Sequence, residues 1–383
     1  RKERNMFKQY KLKDYHFQLI LYLVLLTVIG IAVIGSAEES VQRKQIIGFM
    51  AGLVIMVILS LLDYSVLLKL SWIYYIGSVG LLVLVQTSLG DSANNSQRWI
   101  EIAGIRFQPS ELAKITLILF FSYFFCKYQE KINKIWLLAL SFILVGVPLL
   151  LIYKQPDTST MIVTAFIFVV LLFIAGLSYK IVLTVLGIAI PIAIVGITYL
   201  LSHAEELIDK GFYQMKRIMS WLDPTNPLYT DSALQQQNSI MAIGSGQLWG
   251  KGLGNDAATS AKNANFIIEP QTDFIFAVAG EELGFVGTAV IILLLFLIVM
   301  ECILIGRKAK DLSGRLICCG MASLIGFQSF VNICVATGLM PNTGVTLPFV
   351  SYGLTSLMTL YIGMGFVLNV GLQPLKYTKG VTL

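Results

Sequence analysis

Ten apolar runs follow one another along this chain, at approximately 16–35, 45–62, 72–89, 110–126, 135–152, 158–176, 181–201, 273–305, 315–338 and 353–372. A helix of about 20 apolar residues covers the ~30 Å of hydrocarbon in a bilayer. Within lipid every backbone N–H and C=O must find a partner inside the protein, so a spanning segment is either a helix or part of a closed barrel. These runs are continuous rather than alternating, which argues against a barrel. Composition agrees: 56% of residues are hydrophobic and 13% charged, about half the ~25% charge of a soluble chain. The expected fold is an all-α polytopic membrane protein of about ten transmembrane helices, a single integral membrane domain over 1–383.

The formal net charge of +6 would suit a nucleic-acid binder, but the cations sit mainly in the connections between apolar runs, where they set orientation. With the N-terminus inside, inside segments hold 17 Lys and Arg against six in the short outside segments. Both termini are therefore expected in the cytoplasm, and no nucleic acid is expected as a partner. The first run is longer than a signal-peptide core and no A-x-A site follows, so it reads as a retained span. Two histidines, His16 and His203, are too few for a histidine zinc site and argue against a Ser-His-Asp triad. The five cysteines lie in apolar runs without C-x-x-C spacing and read as buried hydrophobes.

Most connections are short, but segment 202–272 is a polar loop of about 70 residues on the expected outer face. The polar loop 90–110 and the Pro- and Gly-containing turn 339–352 fall on the same face. A channel or carrier has no need of such a loop; an enzyme working at the outer surface does, and a structural cap is the alternative.

Charges in or beside spans cost roughly 2.5–3.5 kcal/mol at the helix centre, so they mark structure or function. Arg98 and Trp99 precede Phe107-Gln108-Pro109-Ser110-Glu111-Leu112-Ala113-Lys114. Pro109 suits the first turn of a helix. Glu111 and Lys114 are then i, i+3 neighbours, an ion pair steadying the helix entry or part of a site. Trp99 reads as an interface anchor or a substrate platform. Asp157 opens the sixth run, where a carboxylate caps a helix. Glu269-Pro270-Gln271-Thr272-Asp273 opens the eighth, and Asp273 is either a cap or a general base facing outside substrate. Glu281 and Glu282 lie inside the eighth run beside Gly280 and Gly284, whose G-x-x-x-G spacing predicts a close helix–helix face. The glycine-rich string 244–254 with Lys251 fails the P-loop pattern, since Gly252 follows the lysine. It still offers exposed amides and a cation that suit a pyrophosphate.

Together these strings resemble the SEDS family (RodA and FtsW), membrane glycosyltransferases that polymerise lipid II into peptidoglycan strands. The resemblance rests on SQRWI and FQPSELAK at 96–114, QPDTST at 155–160, RIMSWLDP at 217–224, QQQNSIMAIGSGQLWGKGLG at 235–254, EPQTDFIFAVAGEELGFVG at 269–287 and GLMPNTGVTLPFVSYGLTSL at 338–357. It implies that Asp273 is the catalytic carboxylate. It implies substrate contacts from Arg98, Trp99, Glu111, Lys114, Asp157, Arg217, Lys251 and Glu269. Three of these strings depart from the family's usual form. Gln271 stands where a histidine is common, Ser159 where a glycine follows Q-P-D, and Leu354-Thr355 where S-Y-G-G-S reads differently.

The implied reaction attacks a lipid-linked donor sugar with the 4-hydroxyl of an acceptor N-acetylglucosamine, releasing undecaprenyl pyrophosphate. Asp273 would take the proton, and Arg98, Arg217 and Lys251 would answer the pyrophosphate charge. A divalent cation (magnesium or manganese) on Asp273 is a further expectation; no organic cofactor is. The implied setting is the bacterial cytoplasmic membrane, with lipid II, the nascent glycan strand and membrane lipids as partners. A class B penicillin-binding protein would dock on the eighth and ninth spans. Within the family a RodA-like elongation role is preferred to an FtsW-type division role. Rivals from other classes are a lipid II flippase or carrier, and a scaffold for a penicillin-binding protein.

Overall fold

The computed structural model describes residues 14–87, 90–93, 96–102, 105–209, 211–226, 230–254 and 269–373. Parts of the basic segments that were counted for orientation, before 14 and after 373, and loop residues 255–268 lie outside the described residues.

The chain opens with α1 (Phe17–Ala37), α2 (Glu39–Leu61), the short α3 (Tyr64–Leu67) and α4 (Ser71–Val85). Three strands follow: β1 (Gly90–Ala93), β2 (Ser96–Ile102) and β3 (Ile105–Phe107). Then come α5 (Pro109–Lys127), α6 (Ile135–Lys154), α7 (Thr158–Ile174) and α8 (Tyr179–Ser202). The long loop contributes α9 (Ala204–Asp209), α10 (Tyr213–Leu222) and α11 (Thr230–Ser245). The chain ends with α12 (Ile275–Arg307), α13 (Leu312–Ala336) and α14 (Leu354–Gly371).

Nine helical segments among the described residues are long and apolar enough to cross a membrane, with α3 and α4 counted as one. The remaining expected span, the sixth, is α7, apolar but only 17 residues long. It packs against α5, α6 and α13 rather than standing alone, so burial in protein answers its shortness. The third expected span starts earlier than residue 72, because Asp63 accepts from Ser65 N at 3.0 Å and starts a turn at Tyr64. Among the described residues the strands are the one departure from all-helical regular structure. They form a small antiparallel sheet in the order β1-β2-β3, with an irregularity between Asp91 and Ser92.

α5, α13 and α14 form the buried centre, and most of their residues are enclosed. Phe120, Phe121, Phe124 and Phe125 of α5 fill it with ring contacts. α2 packs on α14, and α1 packs on α12. Every described side chain of α8 is exposed or half-exposed, which suits a helix whose solvent is lipid. All five cysteines are free, and Cys302, Cys318 and Cys334 are buried.

α12 differs most from its sequence reading. Thirty-three residues of continuous helix would measure about 50 Å, far more than the ~30 Å of hydrocarbon. The helix is broken at Gly284, which has φ 66°. Of the predicted G-x-x-x-G pair, Gly280 does meet a helix, since a Cβ there would come 3.2 Å from Ile243 Cα of α11, whereas Gly284 meets the glycine-rich segment and breaks the helix, which corrects the expectation for that residue. The freed backbone groups are taken up by the glycine-rich segment. Phe285 N donates to Gln247 O at 2.8 Å and Val286 N to Leu248 O at 3.1 Å. Lys251 N donates to Glu281 O at 2.9 Å and Gly252 N to Glu282 O at 3.0 Å. A Cβ at Gly284 would sit 2.7 Å from Leu248 O. The break survives because the four groups of two lost ladder bonds, Phe285 N to Glu281 O and Val286 N to Glu282 O, are all satisfied by a neighbouring backbone.

Candidate active site

Asp273 lies in a turn just before α12, and the helix itself starts two residues later at Ile275. Phe274 occupies the N-cap position and no side chain caps the helix. The cap reading of Asp273 therefore fails, and the carboxylate is left for the cleft. Beneath it lies a small apolar cluster of Ala242, Phe274, Ala277, Val331, Val335 and Val345, drawn from α11, α12, α13 and the segment after α13.

Three consecutive carbonyls hold the turn in place. Tyr352 N donates to Gln271 O at 2.8 Å, Ser351 Oγ to Thr272 O at 2.7 Å, and Asn332 Nδ2 to Asp273 O at 2.8 Å. The same Asn332 amide donates to Val345 O at 2.6 Å. Segment 339–353 is folded back into the bundle, with Leu347, Phe349 and Val350 buried. Gly30 of α1 makes room for it: a Cβ there would come 2.8 Å from Val350 Cα.

The far wall of the cleft is the turn 342–344. Gly344 has φ 73°, and a Cβ on it would sit 3.3 Å from Asp273 Oδ2 and 3.7 Å from Arg217 Nη1. Arg217 Nη1 donates to Asn342 O at 3.2 Å, so the guanidinium is held beside the carboxylate. α10, which carries Arg217, is anchored by Trp221 Nε1 donating to Gly338 O at 2.8 Å. The neighbouring α11 caps the end of α13, with Gln236 Nε2 donating to Val335 O at 2.8 Å and Ser239 Oγ to Ala336 O at 2.7 Å. Helix carbonyls left open at a C-terminus need such donors, and here meeting that need also fixes the cation over the cleft.

Burial pushes the Asp273 carboxyl up to about 6. Arg217 opposes that rise most, Glu269 adds to it, Arg98 opposes it and Asp157 adds to it, in decreasing order. Five of the nine residues named from sequence therefore share one field. Arg98 on β2 donates from Nε to Gln155 O at 3.1 Å and also to Pro156 O, tying the sheet to the start of α7. Asp157 caps α7, accepting from Thr160 N at 3.2 Å, and its other oxygen accepts from Gln108 Nε2 at 3.2 Å. Glu269 stands at the open end of the Asp273 turn, where its carbonyl accepts from Thr272 Oγ1 at 3.0 Å.

Glu111 and Lys114 sit deeper. They pair at 2.8 Å, with 6% and 2% exposure. Lys114 Nζ also donates to Gln328 Oε1 at 2.9 Å, and Ser356 Oγ donates to Glu111 Oε2 at 2.8 Å. Gln328 Nε2 continues to Thr346 O at 3.0 Å. This chain supports the re-entrant segment from below, and its polar atoms are used inside the protein. Trp99 is half-buried on β2, opposite Asp91. Lys251 lies apart from the cleft. Its Nζ pairs with Glu281 Oε1 at 2.7 Å, and Glu281 is two turns beyond Asp273 along α12. Among the described residues no three His, Cys, Asp or Glu side chains form a group that could hold a metal ion.

Sequence reasoning missed Asn332, Asn342, Gly344 and Ser351. The last three lie inside a quoted string, without an assigned role. Asn332 had a weaker signal: with Gln328 it makes an i, i+4 polar pair on one face of an otherwise apolar helix.

A family model described as a cell cycle protein (FtsW, RodA, SpoVE) matches residues 11–374. A probable peptidoglycan glycosyltransferase FtsW of Geobacter sp. (strain M18) is 32% identical over 373 residues, covering 94% of this chain and 97% of that protein. The peptidoglycan glycosyltransferase MrdB of Escherichia coli (strain K12) is 34% identical over 374 residues, covering 95% of each. A chain in a solved peptidoglycan synthase complex, described as coordinating polymerization and crosslinking, aligns with a TM-score of 0.75 at 28% identity. It covers 93% of this chain and 97% of its own length.

Proposed function

Since the chain belongs to the FtsW/RodA/SpoVE (SEDS) family and is a peptidoglycan glycosyltransferase, we propose that it polymerises lipid II at the outer face of the cytoplasmic membrane with Asp273 as general base. The observation that carries this reading is the Asp273 carboxylate itself. It caps no helix, faces Arg217 across Gly344, and has its pKa raised to about 6. A base with a pKa near the working pH is both present in its charged form and basic enough to accept a proton.

In this mechanism the acceptor's 4-hydroxyl gives its proton to Asp273 as its oxygen bonds to the donor's anomeric carbon. The bond from that carbon to the pyrophosphate oxygen breaks, and undecaprenyl pyrophosphate leaves with the electron pair. Arg217 and Arg98, the two cations that act on Asp273, offset the charge that grows on the leaving group. Asp273 then releases its proton to water. Asp157 and Glu269 shape the field around the base, and Trp99, half-buried on β2, is the ring proposed to meet substrate. Glu111 and Lys114 serve by fixing the 339–353 segment. Lys251 serves substrate only by exchanging its Glu281 partner for a phosphate. Asp273 is the residue that would hold a magnesium or manganese ion, which would supply positive charge to the departing pyrophosphate; magnesium usually takes few protein ligands.

The polytopic chain is read with both termini in the cytoplasm, which puts the Asp273 cleft outside. A class B penicillin-binding protein is the proposed partner on α12 and α13, supported by the likeness to a synthase-complex chain. A RodA-like role in elongation is proposed over division; depletion of the protein should round rod cells, whereas filaments would assign it to division. The catalytic reading is tested with purified wild type and Asp273→Ala, lipid II and the partner. Glycan strands from the wild type alone support it, and equal strands from both remove Asp273 as the base.

A further inference from the structure

We propose that Asn332 is a positioning residue for this reaction, tying the Asp273 turn and the 342–345 wall together so that the carboxylate and Arg217 keep their spacing. The inference rests on the reading of Asp273 given above and extends it to a residue that touches no reacting atom. Asn332 is 1% exposed, on the inner face of α13. Its single amide group donates twice, to Asp273 O at 2.8 Å and to Val345 O at 2.6 Å. Those two carbonyls belong to opposite sides of the cleft. One is on the base itself, and the other follows Gly344, the residue that abuts the carboxylate. Arg217 is held by Asn342 O in that same turn. One side chain thus sets the relation of base, wall and cation.

The chemistry requires a donor with two N–H groups. An amide meets that need, and only in the orientation that turns nitrogen toward both carbonyls. Aspartate has nearly the same shape but presents oxygens to oxygens. Leucine has similar bulk and presents nothing. Neither change dismantles the turn, because Tyr352 and Ser351 hold Gln271 O and Thr272 O independently. The expected damage is local: a carboxylate displaced by a fraction of an ångström. Displacements of about 1 Å cost on the order of 100-fold in rate.

The test measures lipid II polymerisation by the full chain in detergent, with wild type, Asp273→Ala, Asn332→Asp, Asn332→Leu and Asn332→Gln, alongside melting temperature and KM. Asn332→Asp and Asn332→Leu should lower kcat by roughly 10- to 100-fold, with KM changed by less than about threefold. Asn332→Gln, which keeps the donor amide, should recover a substantial part of kcat. Loss that follows only the folded fraction, or that falls on KM, would overturn the proposal and make Asn332 a structural or binding residue. If none of the three variants folds, the structural role is established and the proposal fails. If Asp273→Ala polymerises like wild type, the reading of Asp273 itself is wrong. If Asp273→Ala is dead while Asn332→Asp and Asn332→Leu keep full kcat, only the positioning proposal falls.

Discussion

Asp273 and Arg217 make a pair whose balance is measurable in a pH profile. Burial raises the carboxyl to about 6 and Arg217 is the largest opposing influence. A base must be ionised to work, so polymerisation should rise with pH through about 6 and level off above it. Arg217→Ala removes the charge that favours the ionised form, so the rising limb should move to higher pH and the plateau should fall. An unchanged limb in Arg217→Ala would show that the guanidinium does not face the base in the working enzyme. Asp273 itself was legible from sequence as a carboxylate at a helix entry, with cap and base left open. Only the start of α12 at Ile275 separates them, and a one- or two-residue boundary is what sequence patterns resolve least well. Gly344 was not legible as a site residue, because its role is a distance to a side chain 71 positions earlier in the chain.

At the scale of elements, α12 and the 244–254 segment act as one unit. The apolar pattern revealed the helix but not its break, since Gly284 reads equally well as a packing glycine. What distinguishes the two is the neighbouring backbone that replaces the lost ladder bonds, and that contact is remote in sequence. Gly284→Ala should destabilise the protein by about 1–3 kcal/mol, because alanine at φ 66° is strained and its Cβ would meet Leu248 O. A melting temperature in detergent checks this; no change would mean that the break is not kept in the working protein. The Glu111–Lys114 pair was legible from i, i+3 spacing, but its depth was not. Lys114→Met leaves Glu111 buried without its cation and should cost about 3–5 kcal/mol. Lys114→Met with Glu111→Leu should recover part of that loss, a sign that the cost lies in the uncompensated charge.

At the scale of the whole molecule, hydrophobic length dictated the architecture. The second span begins six residues earlier than read, at Glu39, and the third at Tyr64, while the bounds of spans one and four to ten were read within a few residues, because the bilayer imposes one length on every free-standing helix. The exceptions lie where protein replaces lipid as the solvent: α7 is short and packed, α12 is long and broken, and 339–353 enters the bundle without helix. Non-helical backbone at such depth is tolerated only inside protein, and here it is the support of the cleft. Long-loop elements α10 and α11 bring Arg217 to Asp273 by capping α13, so a loop read only as large and polar supplies one wall of the site. The central claim is that this wall and the α12 turn make one general-base centre for glycosyl transfer. The most direct measurement is glycan formation by Asp273→Asn, with lipid II binding determined on the same preparation. Asparagine keeps the shape but cannot take a proton. Retained binding with no glycan strands is the predicted result; strands formed at the wild-type rate would contradict the account.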